Sequence, residues 1–491
     1  MKTLFRILSV TLVAGLLFSC NRAGYEDDFS GIGLKAKKVT PEVIVVTPSG
    51  GDDTGSLLAA FDEAMSHGPG NVVKLVEGEY HVGYMEIYDF CGYLKGAGKG
   101  KTVITVMPGM DLDELFAQHL IHSQVKFIGG DVHLSHFTMQ TPPGALSTGG
   151  PGWGHIYSLL NFSSFNSVYE SGNENRSINV VIDNACFKGQ LVEEGGYEGY
   201  AEGHFFNCVI GVRAGFDYFS PYVAPDPLLP REKINLEITN SDFDTFCYGL
   251  GIEGIRNSNI IVGGINNGNH FTNCDQQGGI WEFRDSEILV EGNTFDVCTN
   301  GFDHDNYPWY GCFRYEPSTK ATTGNYQHNV FNLMHGEYAL WFRDACRITE
   351  PDGVPVAFNI KNNLFDMHDP YDWGIISRWT RGVMIRNNKF SGPGGLGIYA
   401  DSPYGDYYDI YNEEGLIIGN NFSTASFDMG AVWLTTFTRN WSVVGGNIKD
   451  QVWNDGADNI ITGVNVSTSD TPLGHTIRDK IPPMNHLMHP R

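Results

Sequence analysis

A short alternating strand pattern, a turn and a phenylalanine recur along most of the chain. The stretch Val180-Val181-Ile182-Asp183-Asn184 leads to Phe187, and Leu236-Glu237-Ile238-Thr239-Asn240 leads to Phe243. Further copies end at Phe271, Phe295, Phe331, Phe365, Phe390 and Phe422, with weaker ones at Ile448 and Val466 and an early candidate at Phe137. Most repeats are long enough for about three short strands and their turns. Each repeat is therefore predicted to form one coil of a solenoid.

Several side chains occupy fixed places in this repeat. No helical pattern separates the strands, so parallel pairing must come from coils stacking on one another. The pairs Asn362-Asn363, Asn387-Asn388 and Asn420-Asn421 suit sharp turns and predict a ladder of amide hydrogen bonds. The recurring Phe predicts a buried aromatic stack. The cysteines in the same rhythm are predicted to be buried thiols rather than disulfide partners; they are Cys247, Cys274 and Cys298.

The segment before the repeats predicts a cap for the open end of the solenoid. The sequence Ser-Gly-Gly-Asp-Asp-Thr at 49–54 precedes residues 56–67, where Leu57, Leu58, Phe61 and Met65 share one helical face. Strands are predicted at 72–80 and again between 92 and 106. An amphipathic helix at this place would cover unpaired strand edges.

The Asp-Asp-Thr helix, the Gly-Glu-Tyr turn at 78–80 and the Asn-Asn-x-Phe coils resemble the pectate-lyase-like superfamily. The resemblance covers roughly residues 46–466. It implies an all-β fold, a right-handed parallel β-helix with an N-terminal capping helix. Members of that superfamily include polysaccharide lyases, glycoside hydrolases, epimerases, esterases, phage tailspikes and adhesins, so the activity must be argued from a site.

The first residues have the form of an export signal. Lys2 and Arg6 precede an apolar run at 7–18, and Leu-Phe-Ser-Cys at 17–20 resembles the lipobox of bacterial lipoproteins. We expect a signal peptide at 1–19, a lipidated Cys20 and an exported protein anchored in the cell envelope, in the outer membrane of a Gram-negative bacterium. The alternative is an ordinary signal peptide with an incidental cysteine. The remaining predicted segments are a tether at 20–45, a cap with the first coils at 46–110, the β-helix at 111–470 and a tail at 471–491.

The formal net charge of −25 argues against a nucleic-acid partner, because phosphate binding requires clustered Lys and Arg. A polyanionic substrate would also be repelled at long range, although salt screens this field and acidic proteins can carry local basic pockets.

Laying the coils over one another gathers carboxylates, arginines and aromatic residues on one strip. Equivalent residues on successive coils lie about 4.8 Å apart. Neighbouring carboxylates can therefore approach the roughly 5–5.5 Å separation of retaining glycosidases, and those one coil further apart the roughly 6.5–9.5 Å of inverting ones. The catalytic candidates are Glu253, Glu282, Asp303, His304 and Asp305. The substrate-binding candidates are Arg284, Arg343, Arg378, Trp281, Trp341, Trp379, Trp433 and Asp401.

This strip has a second interpretation, a solvated ladder of ion pairs. Glu282 has the opposite strand parity to Glu253 and Asp303, so all three face one groove only if a bulge or register shift intervenes. Asp303-His304-Asp305 is dense in proton-transfer groups, but the same triplet suits a cation site or a turn. The superfamily resemblance also makes Ca²⁺ a candidate cofactor.

The sequence favours a glycoside hydrolase acting on a complex polysaccharide through paired carboxylates. The second candidate is a polysaccharide lyase that cleaves a uronic-acid polymer by β-elimination, with Arg or Ca²⁺ neutralising the uronic carboxylate. The third is a non-catalytic glycan-binding surface protein or adhesin. In each case the expected partner is a polysaccharide or oligosaccharide, with membrane contact only through the N-terminal lipid. The oligomeric state is left open.

Overall fold

The structure is a computed structural model. It describes residues 41–109, 123–141, 157–164, 176–189, 191–192, 197–198, 205–206, 209–215, 230–246, 248–297, 300–305, 318–333, 338–343, 356–402, 411–448, 451–464 and 466–467. Asp305 and a few strand-end residues are described by their backbone alone. Cys20, Cys247 and Cys298 lie outside these residues.

Three long parallel sheets and one helix, α1 (Thr54–Ser66), make up most of the described chain. In order of pairing, sheet 1 contains β1 (Val43–Val46), β2 (Asn71–Leu75), β5 (Cys91–Lys95), β8 (Gly130–Ser135), β11 (Ile178–Asp183), β17 (Ile234–Thr239), β20 (Asn259–Gly263), β23 (Glu287–Glu291), β26 (Thr323–Gln327), β29 (Ala357–Lys361), β32 (Met384–Arg386), β36 (Leu416–Ile418), β40 (Ser442–Val444) and β42 (Ile460–Thr462). Sheet 2 contains β3 (Gly78–Val82), β6 (Thr102–Val106), β9 (Thr138–Gln140), β12 (Cys186–Lys188), β18 (Asp242–Asp244), β21 (His270–Thr272), β24 (Thr294–Val297), β27 (Val330–Leu333), β30 (Leu364–Asp366), β33 (Lys389–Gly394) and β37 (Asn421–Phe427).

Sheet 3 carries the candidate site. It contains β4 (Met85–Tyr88), β7 (Ser123–Ile128), β10 (Tyr157–Ser163), β16 (Val209–Gly215), β19 (Tyr248–Arg256), β22 (Gln276–Arg284), β25 (Asn300–Asp305), β28 (Tyr338–Arg343), β31 (Trp373–Arg378), β34 (Leu396–Asp401), β38 (Val432–Leu434), β41 (Val452–Asn454) and β43 (Val466–Ser467). The small strands β13 (Leu191–Val192), β14 (Tyr197–Glu198) and β15 (Phe205–Phe206) pair antiparallel, and β35 (Asn412–Glu413) pairs with β39 (Thr438–Arg439).

The chain visits sheets 1, 2 and 3 in turn, so each circuit is one coil. The strands β20, β21 and β22 form one coil and pair in parallel with β23, β24 and β25 of the next. Within sheet 1, for example, Ile260 pairs with Ile288. The protein is a right-handed parallel β-helix, as the repeat and the superfamily resemblance predicted.

An asparagine ladder fixes the turn between sheets 1 and 2. Its members are Asn269, Asn293, Asn329, Asn363, Asn388 and Asn420. The Asn329 Oδ1 atom accepts hydrogen bonds from the backbone N and the Nδ2 of Asn293, both at 3.0 Å. The Asn329 Nδ2 donates to the carbonyl of Val290 at 2.9 Å. Each ladder amide therefore satisfies backbone groups that the turn leaves buried.

The residue before each of three later ladder asparagines has left-handed backbone. Asn362 and Asn387 have φ of 58° and 55°, and Gly419 has φ of 65°. In the first two predicted pairs the second Asn is therefore the ladder member. In the pair Asn420-Asn421 the first one is, because Gly419 occupies the left-handed position there.

The predicted phenylalanine stack is present inside the solenoid. From Phe187 to Phe422, successive rings stack with centroids 4.4–5.2 Å apart. Phe137 meets Phe187 edge-on at 6.1 Å. Cys274 is buried nearby, as predicted. Among the described cysteines, Cys91, Cys186 and Cys274, none forms a disulfide.

Helix α1 contacts the first strands of the solenoid, as the amphipathic pattern predicted. Its residues Leu57 and Phe61 are buried, and the Phe61 ring meets Phe90 and Phe127 edge-on at 4.9 and 5.7 Å. Within the described ranges, no helix combines the length and hydrophobicity needed to cross a bilayer.

We expect Asn329→Ala to lower the free energy of unfolding by about 3 kcal/mol, because four buried hydrogen bonds lose a partner. Urea unfolding measures this loss. The control is Asn325→Ala, at a half-buried position on sheet 1 whose amide oxygen accepts one bond from Asn359. We expect it to cost about 1 kcal/mol or less, and equal losses in the two variants would contradict the structural role of the ladder.

Candidate functional site

The outer face of sheet 3 carries two rows of side chains, because alternate residues of each strand point away from the interior. We call them the first and second outer rows. In paired order, the first outer row contains Glu86, Lys126, Asn161, Arg213, Gly251, Gly279, Asp303, Trp341, Ile376, Tyr399, Trp433 and Trp453. The second outer row contains Gly215, Glu253, Trp281, the backbone position of Asp305, Arg343, Arg378 and Asp401. Nine of the thirteen residues that the sequence singled out on this strip occupy positions of these rows.

Glu253 lies in the second outer row beside a buried arginine. Its Oε2 atom is 3.3 Å from Nη2 of Arg213, which lies one coil earlier in the first outer row. The two side chains are 12% and 2% exposed. Burial raises the pKa of Glu253, and the Arg213 cation opposes this rise. The site therefore favours a protonated carboxyl more than water does.

Trp281 and Asp303 continue the site on the next two coils. The Trp281 indole Nε1 donates a hydrogen bond to Asp303 Oδ2 at 3.2 Å. The ring lies across Gly279, where an added methyl carbon would be 2.0 Å from Trp281 Cζ2. Tyr248 meets the indole edge-on at 5.7 Å. Trp281 keeps part of its surface exposed while Asp303 is fully buried, so the indole forms a partly open platform beside the carboxylate.

Glu253 and Asp303 are separated by one intervening strand. They belong to β19 and β25, and both strands pair with β22. Two steps of about 4.8 Å put their backbones roughly 10 Å apart along the solenoid axis. The two carboxylates thus flank Trp281 on one face.

The later coils carry an aromatic cluster on the same face. It contains Tyr338, Trp341, Trp373, Ile376, Leu396, Tyr399 and Trp433 and is separate from the interior core. The guanidinium groups of Arg343 and Arg378 lie 4.9 and 5.3 Å from the Trp341 ring, within the range of cation–π attraction. In this same part of the face, Asp401 accepts a hydrogen bond from Thr435.

Glu282 is not a member of either outer row, which corrects its predicted place beside Glu253. Its backbone is left-handed, with φ of 52°, and the facing Gly254 has φ of 65°. This irregularity breaks strand alternation and turns the carboxylate to Arg231, 3.0 Å away. The side chain is 1% exposed, and burial raises its pKa to about 7. Its turn away from both outer rows argues for a structural role and against a catalytic one.

Two substrate-binding candidates also depart from the rows. Arg284 follows Glu282 and Phe283, is 2% exposed, and donates from Nη1 to the Phe283 carbonyl. Trp379 has left-handed backbone, with φ of 52°, and is 4% exposed. Arg284 and Trp379 lie beyond the residues whose side chains alternate regularly between the two faces of sheet 3. Their positions therefore do not support the predicted contact with a sugar.

His304 points into the solenoid, which corrects its predicted role in proton transfer. It pairs in register with Ile280 and Phe342, both in the interior core. Its Nδ1 atom is 2.8 Å from the hydroxyl oxygen of Tyr326, and the ring meets Phe283 edge-on at 4.2 Å. Burial lowers its pKa well below the usual value. His304 is therefore a neutral interior residue, out of reach of a substrate on the outer face.

One buried carboxyl group escaped the sequence analysis. Glu232 is 2% exposed and accepts hydrogen bonds from the Ser163 hydroxyl, at 2.9 Å, and from the backbone N–H of Ser164. Burial raises its pKa to about 7, against the effect of these bonds and of the Lys126 charge. Glu232 precedes β17, on a connection between sheets 3 and 1, where the repeat gives no periodic signal.

The described residues do not fit a calcium site. No group of three or more His, Cys, Asp or Glu side chains is close enough to hold a metal among them. Asp303 and His304 point to opposite faces, and the Asp305 side chain lies outside the described part.

Solved structures with similar coils include proteins of different kinds. The A-module of the mannuronan C-5 epimerase AlgE4 from Azotobacter vinelandii is 15% identical, with a TM-score of 0.48, and the match covers 85% of this chain and 96% of that one. An exopolygalacturonase from Thermotoga maritima is 11% identical, with a TM-score of 0.42 and coverage of 87% and 94%. An N-terminal fragment of bacteriophage phi29 gene product 12 is 16% identical, with a TM-score of 0.46 and coverage of 86% and 70%.

No protein-family model matches the chain, and no curated protein matches it. The fold assignment rests on the three parallel sheets themselves, and these similarities carry no information about activity. The function must be argued from the outer face of sheet 3.

We expect His304→Leu to reduce the loss of stability in acid. The unfolded histidine gains a proton near its ordinary pKa of about 6.5, whereas the folded one stays neutral because its pKa is lowered. The stability that neutral His304 contributes to the wild type is therefore complete above about pH 6.5 and is lost as the pH falls below that value. Urea unfolding of both proteins between pH 7.5 and 5 measures the difference.

His368→Leu, which changes a half-exposed surface histidine, controls for the loss of any histidine. The free energy of unfolding is compared between the wild type and His304→Leu at each pH. If this difference did not change with pH, the interior placement of a neutral His304 ring would be contradicted.

Proposed function

We propose that the protein is a glycoside hydrolase that cleaves a polysaccharide on the outer face of sheet 3. The observation that carries this proposal is the placement of Glu253 and Asp303 in the outer rows, on either side of the partly exposed Trp281. Two carboxyl groups across a sugar-sized platform are the groups that glycoside hydrolysis requires.

The two carboxyl groups take different roles because their surroundings differ. Glu253, whose pKa is raised by burial, acts as the general acid and donates its proton to the leaving glycosidic oxygen. Asp303 accepts a hydrogen bond from Trp281 and acts as the general base. It takes a proton from the water that attacks the anomeric carbon. The glycosidic C–O bond breaks and a C–O bond to water forms. Asp303 then releases its proton to solvent and Glu253 takes one up, which restores both protonation states before the next cycle.

The two-coil spacing favours inversion at the anomeric carbon. The backbones lie roughly 10 Å apart, so carboxyl groups that lean towards each other reach the roughly 6.5–9.5 Å separation of inverting enzymes, which leaves room for a water molecule. Trp281 supplies a flat apolar surface for a sugar ring at the point of cleavage.

A polysaccharide lyase is the second candidate. The observation that favours it is the pair Arg343 and Arg378 beside Trp341, because guanidinium groups bind carboxylates such as those of uronic acids. A lyase product carries a new double bond that absorbs ultraviolet light, whereas hydrolysis forms only a reducing end. A protein that retains glycans without cutting them would be the third candidate, a glycan-binding surface protein.

We expect Glu253→Gln and Asp303→Asn each to lower the rate of glycan cleavage by about 10²–10⁴-fold, because each loses one proton-transfer group. Reducing-end and ultraviolet assays on a panel of polysaccharides measure the rate and separate hydrolysis from elimination. Glu287→Gln, an exposed carboxyl on sheet 1, is the matched control and should cleave at the wild-type rate. Full activity in both site variants would remove these residues from the mechanism.

We further propose that the protein is exported and anchored in a bacterial envelope through a lipid on Cys20, as the lipobox-like sequence predicts. Cys20→Ser should abolish fatty-acid incorporation and release the protein from the membrane fraction, because the thiol is the acylation point. Metabolic labelling with a fatty acid and fractionation measure both effects. Cys91→Ser is the control, and labelling that persists in Cys20→Ser would refute the anchor.

A further inference from the structure

Three polar side chains that can donate hydrogen bonds follow Glu86 in the first outer row. Lys126, Asn161 and Arg213 belong to β7, β10 and β16, and their backbones pair directly. They are 6%, 0% and 2% exposed. We call this set the polar row. Successive members lie about 4.8 Å apart, so a single bound group can reach side chains from neighbouring coils.

Several polar atoms of this row have no hydrogen-bond partner within the described structure. Both side-chain atoms of the Asn161 amide, Oδ1 and Nδ2, are buried without one, and so is Nη1 of Arg213. The other terminal nitrogen of Arg213 is committed to Glu253. A buried polar atom without a partner costs about 1–3 kcal/mol, and such atoms are rare in folded proteins. Three of them on paired strands of one face point to a ligand that supplies their partners.

We propose that Lys126, Asn161 and Arg213 form a subsite for a negatively charged substituent of a sugar, a carboxylate or a sulfate ester. This proposal rests on the proposed function, which identifies the ligand as a polysaccharide. An oxyanion accepts hydrogen bonds from Arg213 Nη1 and Asn161 Nδ2, and the Lys126 charge compensates it. A neighbouring sugar hydroxyl donates to Asn161 Oδ1.

The local charge permits an anion here although the whole chain carries −25. Three carboxyl groups face the polar row in the described structure. Glu253 is paired with Arg213, and Glu232 interacts with Lys126. Glu86 pairs with Lys126 through the backbone, and its carboxylate accepts hydrogen bonds from Tyr84 and Tyr88. Burial raises the pKa of Glu253 and Glu232, which reduces the negative charge that opposes a ligand. The row itself contributes two cations.

The subsite adjoins the proposed point of cleavage. Arg213 pairs in register with Gly251, which in turn pairs with Gly279 under the Trp281 ring. Gly251 and Gly279 contribute no side chains to the first outer row between Arg213 and Asp303, and the Trp281 ring lies against both glycines. A glycan lying along the solenoid axis can therefore place its charged residue on the polar row and the next ring beside Trp281.

The test is Asn161→Leu, a substitution of similar size, with Asn235→Leu on sheet 1 as the matched control. Both are made in the full-length protein carrying Asp303→Asn, so that no ligand is consumed. Affinity electrophoresis compares polygalacturonate with its carboxyl-reduced form, and a sulfated galactan with its desulfated form. The Asp303→Asn protein, which keeps Asn161, should bind one acidic polymer at least tenfold more tightly than the neutral counterpart of that polymer. Asn161→Leu should lose about tenfold of that preference, and Asn235→Leu should keep it.

Unfolding in urea separates binding from folding. Replacing unpartnered polar atoms by an apolar group should leave stability unchanged or raise it, so weaker binding cannot be attributed to misfolding. The pair of polymers that is discriminated identifies the carboxylate or the sulfate. The subsite would be overturned if each acidic polymer bound no more tightly than its neutral counterpart. It would also be overturned if the preference for an acidic polymer persisted in Asn161→Leu. If an acidic preference depends on Asn161 but the wild type cuts none of the polymers, the subsite stands and the hydrolase proposal fails.

Discussion

The structure depends on parallel hydrogen bonding between successive coils, which sets a spacing of about 4.8 Å between equivalent residues. The asparagine ladder and the phenylalanine stack maintain this register from inside, since each ladder amide bonds the next coil and each ring covers the next ring. Residues far apart in the chain, such as Lys126, Asn161 and Arg213, become neighbours only through this stacking.

The two faces of sheet 3 obey different constraints. In the described strands the inner face is almost entirely apolar, and His304 of β25 on this face is neutral and bonded to Tyr326. The outer face divides along the axis into a polar half, which contains Arg213, Glu253 and Asp303, and an aromatic half around Trp341. The proposed point of cleavage lies in the polar half, next to the aromatic half of the same surface.

Burial alone does not identify a catalytic carboxyl group in this protein. It raises the pKa of Glu232, Glu253 and Glu282 alike. Of these three, Glu253 belongs to an outer row, whereas Glu282 turns towards Arg231 and Glu232 bonds Ser163. Position relative to the sheet therefore distinguishes a group that can meet substrate from one that stabilises a connection between coils.

The sequence by itself determined the coil, the ladder, the aromatic stack and the capping helix, because each arises from a local pattern that repeats at every turn. It also placed Glu253, Trp281 and Asp303 on one strip. Only the tertiary structure decided that Glu282 leaves this strip, that His304 points inward, and that Glu232 and Asn161 belong to the polar surroundings. Left-handed backbone at Gly254 and Glu282 reverses strand parity, and the connections between sheets vary in length. Side-chain direction at such places is therefore fixed by contacts with other coils rather than by neighbours in the chain.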